Sequence, residues 1–277
     1  MKKPAFCTIL LVLGIFLAAA LPAAAAPRYT CKELGTLPFP YNTGSTASGI
    51  NAAGQVVGFS CGSSPGVSHA FLWSSGGGMV DLGTLKAPYD PWSEAWGINA
   101  AGKVVGDSLS SYGIYQAFLY NGGPLQNLSS PFGLYNSNAK AINALDQVVG
   151  VNLTIDGWHA FLYGSSGKDL GTLGGHQSNA LGINGAGQVV GGADTTSSGY
   201  QHAYLYTAPV MYSDPVMLDL NNLVQNLPAG IILSEAAGIN DRGQIIANGN
   251  YIDFYYGHTY LLTPITSVPA LDLLLLQ

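Results

Sequence analysis

The sequence predicts an all-β protein, a five-repeat β-propeller with four short strands per blade, and three observations predict it. A box of the form Ser-x-Ala-x-[Gly/Ala]-Ile-Asn begins at Ser45, Ser93, Ser137, Ser178 and Ser234. Each box is followed by a run resembling Gly-Gln-Val-Val-Gly and then by a run resembling His-Ala-Phe-Leu. The composition, with 37 Gly and 16 Tyr but only 9% charged residues, is that of a turn-rich, hydrogen-bonded β protein and not of a disordered chain. A motif that returns every 41 to 56 residues is not one active site. Its recurring residues are the parts by which one unit packs on the next.

The chain opens with Lys2 and Lys3, an apolar stretch over 9–21, then Pro22 and alanines through Ala26. This is the pattern of a signal peptide covering 1–26. The apolar part is shorter than the roughly 20 residues a membrane span requires, and Ala23 with Ala25, or Ala24 with Ala26, fits small-residue cleavage. The expected product is secreted, extracellular or at the cell surface, with the periplasm as the alternative, and has no membrane span in the mature chain. Cys7 leaves with the leader. Cys31 and Cys61 remain, and an oxidising compartment predicts a disulfide between them. It would close a loop of about 30 residues, worth roughly 3–4 kcal/mol in the chain-entropy model.

Within 27–262, a single domain, each unit offers four strand candidates, as at 178–183, 188–191, 202–206 and 217–220. Their lengths are those of ordinary strands. Between the first two lies Asn-Ala-Ala-Gly at Asn51 and Asn99, Asn-Gly-Ala-Gly at Asn184, and Asn-Asp-Arg-Gly at Asn240. Asn first and Gly three later predict a type I turn ending in a left-handed residue. In the third copy Asp146 stands in the Gly position, and Asp tolerates that region. Simple alternation along the box puts its Ser, Ala and Gly on one face and the two x positions on the other. The fifth unit stops after its third strand at 258–262, while an unpartnered Leu-Gly-Thr-Leu stands at 34–37. Pairing that N-terminal strand with the last blade closes the ring and removes a free sheet edge, with an open stack of repeats as the competing shape. The stretch 223–233 is an insertion in the last connection, and 263–277 is a C-terminal tail whose Leu-rich end is too short to cross a membrane.

Together the His-Ala-Phe runs at His69 and His159, Gly-Ile-Asn, Gly-Gln-Val-Val-Gly and Asp-Leu-Gly-Thr-Leu closely resemble the bacterial extracellular HAF repeat family. The resemblance covers essentially the whole mature chain. It implies an exported repeat protein and brings no assigned chemistry. Departures from the pattern occur at Gln116-Ala-Phe, His202-Ala-Tyr and His258-Thr-Tyr.

Charge narrows the function. Nine basic residues stand against 15 acidic ones, with no cluster of Lys or Arg, so nucleic acid is not an expected partner. His69, His159, His202 and His258 recur at the start of the third strand, but Gln116 takes that place in the second copy and is a poor metal ligand. The position is therefore expected to make a structural hydrogen bond, to the Ser or Asn of the box, with no metal and no cofactor. The variable x positions include Glu94 and Glu235, the catalytic candidates of the alternative hydrolase reading, as a glycosidase-like carboxylate pair. The longer loops carry aromatics, of which Tyr41, Tyr89, Trp92, Tyr112, Tyr135 and Trp158 are the ligand-binding candidates, with Asp90, Asp107, Asn136, Asn152 and Asp194 nearby. Aromatic faces with polar partners suit sugars or protein surfaces. The expected function is a monomeric, non-enzymatic module binding extracellular carbohydrate or a protein partner. A glycan-cleaving hydrolase using Glu94 and Glu235, or a structural envelope or matrix protein, are the alternatives.

Overall fold

The computed structural model describes residues 31–64, 66–85, 92–110, 113–128, 136–196, 201–207, 216–251 and 257–265. The chain divides into two units, Met1–Glu33 and Leu34–Gln277, and every strand belongs to the second. Five antiparallel sheets follow one another in chain order. The first holds β1 (Gly44–Ile50), β2 (Val56–Cys61), β3 (Ser68–Ser74) and β4 (Gly78–Asp81), the second β5 (Ser93–Ile98), β6 (Val104–Leu109), β7 (Tyr115–Tyr120) and β8 (Gln126–Asn127). The third holds β9 (Ser137–Ile142), β10 (Val148–Leu153), β11 (Trp158–Tyr163) and β12 (Gly167–Asp169). The fourth holds β13 (Gly174–Ile183), β14 (Val189–Thr195), β15 (Gln201–Thr207) and β16 (Val216–Asp219), and the fifth β17 (Ile231–Ile239), β18 (Ile245–Tyr251) and β19 (Gly257–Leu262). Strands within a sheet pair in sequence order, the simplest meander. No described helix is long and apolar enough to cross a membrane.

The turns joining the first two strands form as their residues dictate. Gly54, Gly102, Gly187 and Gly243 take left-handed φ values of 72–80°, and Asp146 takes the same place at φ 61°. Each turn Asn also folds its side chain inward. Asn99 Oδ1 accepts from the N–H groups of Ala101 and Lys103, and Nδ2 donates to the carbonyl of Asn143 in the next sheet's turn, at 3.1 Å. The same reach joins Asn51 to Asn99, Asn143 to Asn184, and Asn184 to Asn240.

The box departs from simple alternation. A register shift falls between Ala47 and Gly49, Ala95 and Gly97, Ala180 and Gly182, and Ala236 and Gly238. Such a bulge inserts one residue and turns the following side chain to the other face. Ala95 is therefore buried against the preceding sheet, whereas a Cβ on Gly97 would meet the backbone of Lys140 and Ala141 in the next one. The expectation that Ser, Ala and Gly share a face holds for Ser and Ala alone.

The core is four repeated junctions between neighbouring sheets. Val57 and Ala70 of the first sheet pack on Ala95, Val104 and Phe118 of the second. Val105 and Ala117 pack on Ala139, Val148 and Phe161, Val149 and Ala160 on Ala180, Val189 and Tyr204, and Val190 and Ala203 on Ala236 and Ile245. The boxed Ser locks each of the first three: Ser93, Ser137 and Ser178 accept from the N–H groups of Ala70, Ala117 and Ala160.

One expectation is corrected here. The segment 34–37 is not a strand, and the fifth sheet has three strands among the described residues. The polar groups of that segment go to the first sheet instead: Leu37 N–H donates to Ser60 Oγ at 3.0 Å and Ser45 Oγ donates to the Gly35 carbonyl at 2.6 Å. Leu37 is buried with Phe71 and Trp73. Leu85 and Gly83 make the same bonds to Ser108 and Ser93 in the second sheet, so 34–37 docks as the terminal segment of a unit preceding the first. Of the two cysteines expected to pair, Cys31 is an exposed thiol in the first unit and Cys61 a half-buried thiol in β2 of the second.

Candidate sites at the sheet junctions

Trp92 immediately precedes the boxed Ser93, and its carbonyl is held by Leu109 N–H and Ser108 Oγ. Its ring meets Tyr115 edge-on, with centroids 4.6 Å apart. It lines a cavity of about 390 Å³ between the first and second sheets, together with Phe59, Cys61, Ser68 and Glu94. Trp158 lines a cavity of about 330 Å³ between the third and fourth sheets, with Asn138, Val151, Gln177, Asn179 and Gln201. The two cavities occupy the same place in the repeat. Ser68 and Trp158 both precede the third-strand His, Trp92 and Gln177 both precede the boxed Ser, and Glu94 and Asn179 both follow it. One architecture thus presents a tryptophan from either side of the junction, opposite a carboxylate or carboxamide.

Tyr41 has a different task. It stacks on His69 with centroids 3.8 Å apart and joins the cluster of Leu37, Phe71 and Trp73. Tyr89, Tyr112 and Tyr135 lie outside the described residues.

Beside the first cavity stands an acidic cluster. Glu94 faces Asp107 across the β5–β6 pair. Burial and the neighbouring Asp107 charge push the Glu94 carboxyl up, partly offset by Lys140. Asp107 is expected on a rim loop from its sequence context, yet it lies within β6 and is buried. Burial pushes its carboxyl up against the opposing effects of Asn138, Lys140 and Trp96. The Trp96 indole N–H donates to Asp107, and Lys140 Nζ lies 4.1 Å from the Trp96 ring centroid. Glu235 belongs to another environment, with Asn179 Nδ2 at 3.5 Å from its carboxylate. Glu94 and Glu235 share no partner among the described residues. Phe59, Gln177 and Gln201 carried no sequence signal, because only the packing of two sheets brings them beside the box.

The recurring histidines find partners the sequence did not indicate. His69, His159 and His202 place Nδ1 at 2.7–2.8 Å from Asp81, Asp169 and Asp219, each at the end of the fourth strand. In the second sheet Gln116 accepts from Asn127 at 2.7 Å. The expected partner, the Ser or Asn of the box, is occupied elsewhere.

No family model and no curated protein matches the chain. Among solved structures, TolB from Acinetobacter baumannii is similar at 10% identity and a TM-score of 0.47, over 79% of this chain and 54% of that one. The chain thus spans about half the length of that protein.

Proposed function

We propose that this chain is an exported, HAF-type repeat protein whose five sheets are propeller-type blades in an array not closed within one chain, and that it binds carbohydrate or a protein partner at the junctions between them. The observation that carries this reading is the repetition of one cavity type at two junctions, with Trp92 and Trp158 each set against carboxylate or carboxamide side chains. An indole face and fixed hydrogen-bonding groups are what a pyranose ring or an aromatic-rich peptide edge requires. The leader-like start of the chain and its acidic balance support a location outside the cytoplasm and a partner other than nucleic acid.

The test is binding of the purified chain to a polysaccharide and glycan array, with Trp92→Ala and Trp158→Ala measured alongside. Loss of an aromatic anchor that the ligand buries costs about 2 kcal/mol or more, a fall in affinity of at least about 30-fold. Both variants should remain folded, since each ring is only half-buried, so a loss of binding reads on the cavity and not on unfolding. Equal binding by both variants and the parent would remove the cavities from consideration. The hydrolase reading is favoured by one observation, the raised carboxyls of Glu94 and Asp107 beside the first cavity. Reducing sugar released in the same wells, and abolished by Glu94→Gln, would convert the binding module into an enzyme.

A further inference from the structure

Every sheet in the chain has two faces, and the four internal junctions show what each face is built to meet. The face turned to the next sheet carries a valine of the second strand and a leucine of the third. Val57, Val105, Val149 and Val190 are fully buried there. In the fifth sheet the same places hold Ile246, 47% exposed, and Leu261, 65% exposed. Gly238 belongs to this face too. A Cβ on Gly49, Gly97 or Gly182 would run into backbone of the following sheet, whereas on Gly238 it would meet nothing beyond its own Ile246. The close approach that the glycine permits is made three times and left unmade at the fourth.

The face turned to the preceding sheet is left open at the other end. Ala95, Ala139, Ala180 and Ala236 are fully buried on it, but Ala47 is exposed. Ile142 is buried at 9%, while Ile50 in the same position is 68% exposed. Among the described residues, 34–37 covers the outer part of this first face alone, at Phe71 and Trp73.

The polar groups repeat the pattern. Asn240 keeps its side chain within its own turn, bonded to Arg242, Gln244 and the Gln244 amide, with no further turn to donate to among the described residues. The Asn51 carbonyl accepts from Gly54 N–H but from no preceding Asn among them. Ser45 makes the bond to Gly35 that Ser93 makes to Gly83, but among the described residues it accepts from no N–H of a preceding sheet as Ser93 does.

We propose that the open face of the fifth sheet and the open face of the first are the two halves of one more junction, made between copies of this chain. Its occupant is argued from the four junctions already present: Ile246 and Leu261 of one copy take the place of Val57 and Leu72, over Ala47 and Ile50 of the next. Asn240 of the first copy then donates to Asn51 of the second. The contact is head-to-tail, so it propagates or closes according to its rotation.

The experiment is sedimentation of the full chain over a concentration series, with Ile50→Lys and Leu261→Lys as variants. Both side chains are exposed, so neither change disturbs the fold of one copy. The parent should show mass rising with concentration, and each variant alone should be a monomer. Mixed in equal amounts, the variants should give a 1:1 dimer and nothing larger, because each keeps the face the other has lost. A parent that is monomeric at every concentration, variants that assemble like the parent, or a mixture that stays monomeric would each overturn the proposal.

Discussion

At the scale of the residue, the histidine that recurs at the start of the third strand is one half of a side-chain pair, and the other half is an aspartate at the end of the fourth. The aspartate lies 12, 10 and 17 residues downstream in the first, third and fourth sheets. That variable interval hid it from sequence comparison, although the histidine itself stood out. Gln116 and Asn127 keep the bond without charge, which shows that geometry is what the position requires. Burial alone would raise the Asp81 carboxyl, but the His69 hydrogen bond, the Gly83 N–H and the His69 charge together hold it below its ordinary value. A carboxyl depressed on folding stabilises fully above its unfolded pKa, about 3.9, and loses that contribution as pH falls through the lower folded value. The double change His69→Gln with Asp81→Asn should therefore fold at neutral pH and lose less stability than the parent below about pH 4. Denaturant midpoints across that range are the measurement, and an unaltered acid dependence would mean that the pair does not contribute.

At the scale of the element, the glycine that ends each Val-Val-Gly run is set by the bulge opposite it. A Cβ on Gly58, Gly150 or Gly191 would stand 1.9 Å from the carbonyl oxygen of Thr46, Asn138 or Asn179. Backbone of a paired strand cannot step aside as a flexible side chain does. Gly150→Ala should cost more than about 4 kcal/mol or abolish folding, read by denaturant unfolding. A loss below about 1 kcal/mol would show that the bulge rearranges freely. In the fifth sheet Ala247 fills this place, and there β17 carries a second register shift, between Leu233 and Glu235. Strand positions, turn residues and the left-handed Asp146 were legible from pattern and turn chemistry. The bulge was not, since one inserted residue leaves the spacing of the box unchanged and only reverses the side on which its glycine lies.

Across the whole molecule, the turn asparagines form a line of side-chain to carbonyl bonds that passes through all five sheets. Each was recognisable as a turn former, but not as a link, because the bond spans between 41 and 56 residues of sequence. Asn143 makes both kinds of contact and is buried, whereas Asn240 makes only the local kind among the described residues. Asn143→Ala should lower stability by about 3 kcal/mol, and Asn240→Ala by at least about 1 kcal/mol less, since only the first leaves a buried carbonyl of the next turn without its donor. Thermal unfolding of the two variants checks the difference. The junction cavities belong to this scale as well. Their aromatic components could be picked out one at a time, while the pairing of Trp158 with Asn138 and Asn179 exists only once two sheets are packed.

Where other turns carry glutamine, the second carries Lys103, and where other turns carry glycine, the third carries Asp146; the two side chains meet as an ion pair at 2.5 Å. Gln55 and Gln147 instead reach toward Gly102 and Gly187. The partners sit in different units, so neither substitution makes sense in a unit taken alone. A gene duplication or shuffling event that copied the second unit without the third would set a lysine over a glycine. However alike the five copies are in outline, these two fit only side by side and in this order, and the order of the array is written into the pair.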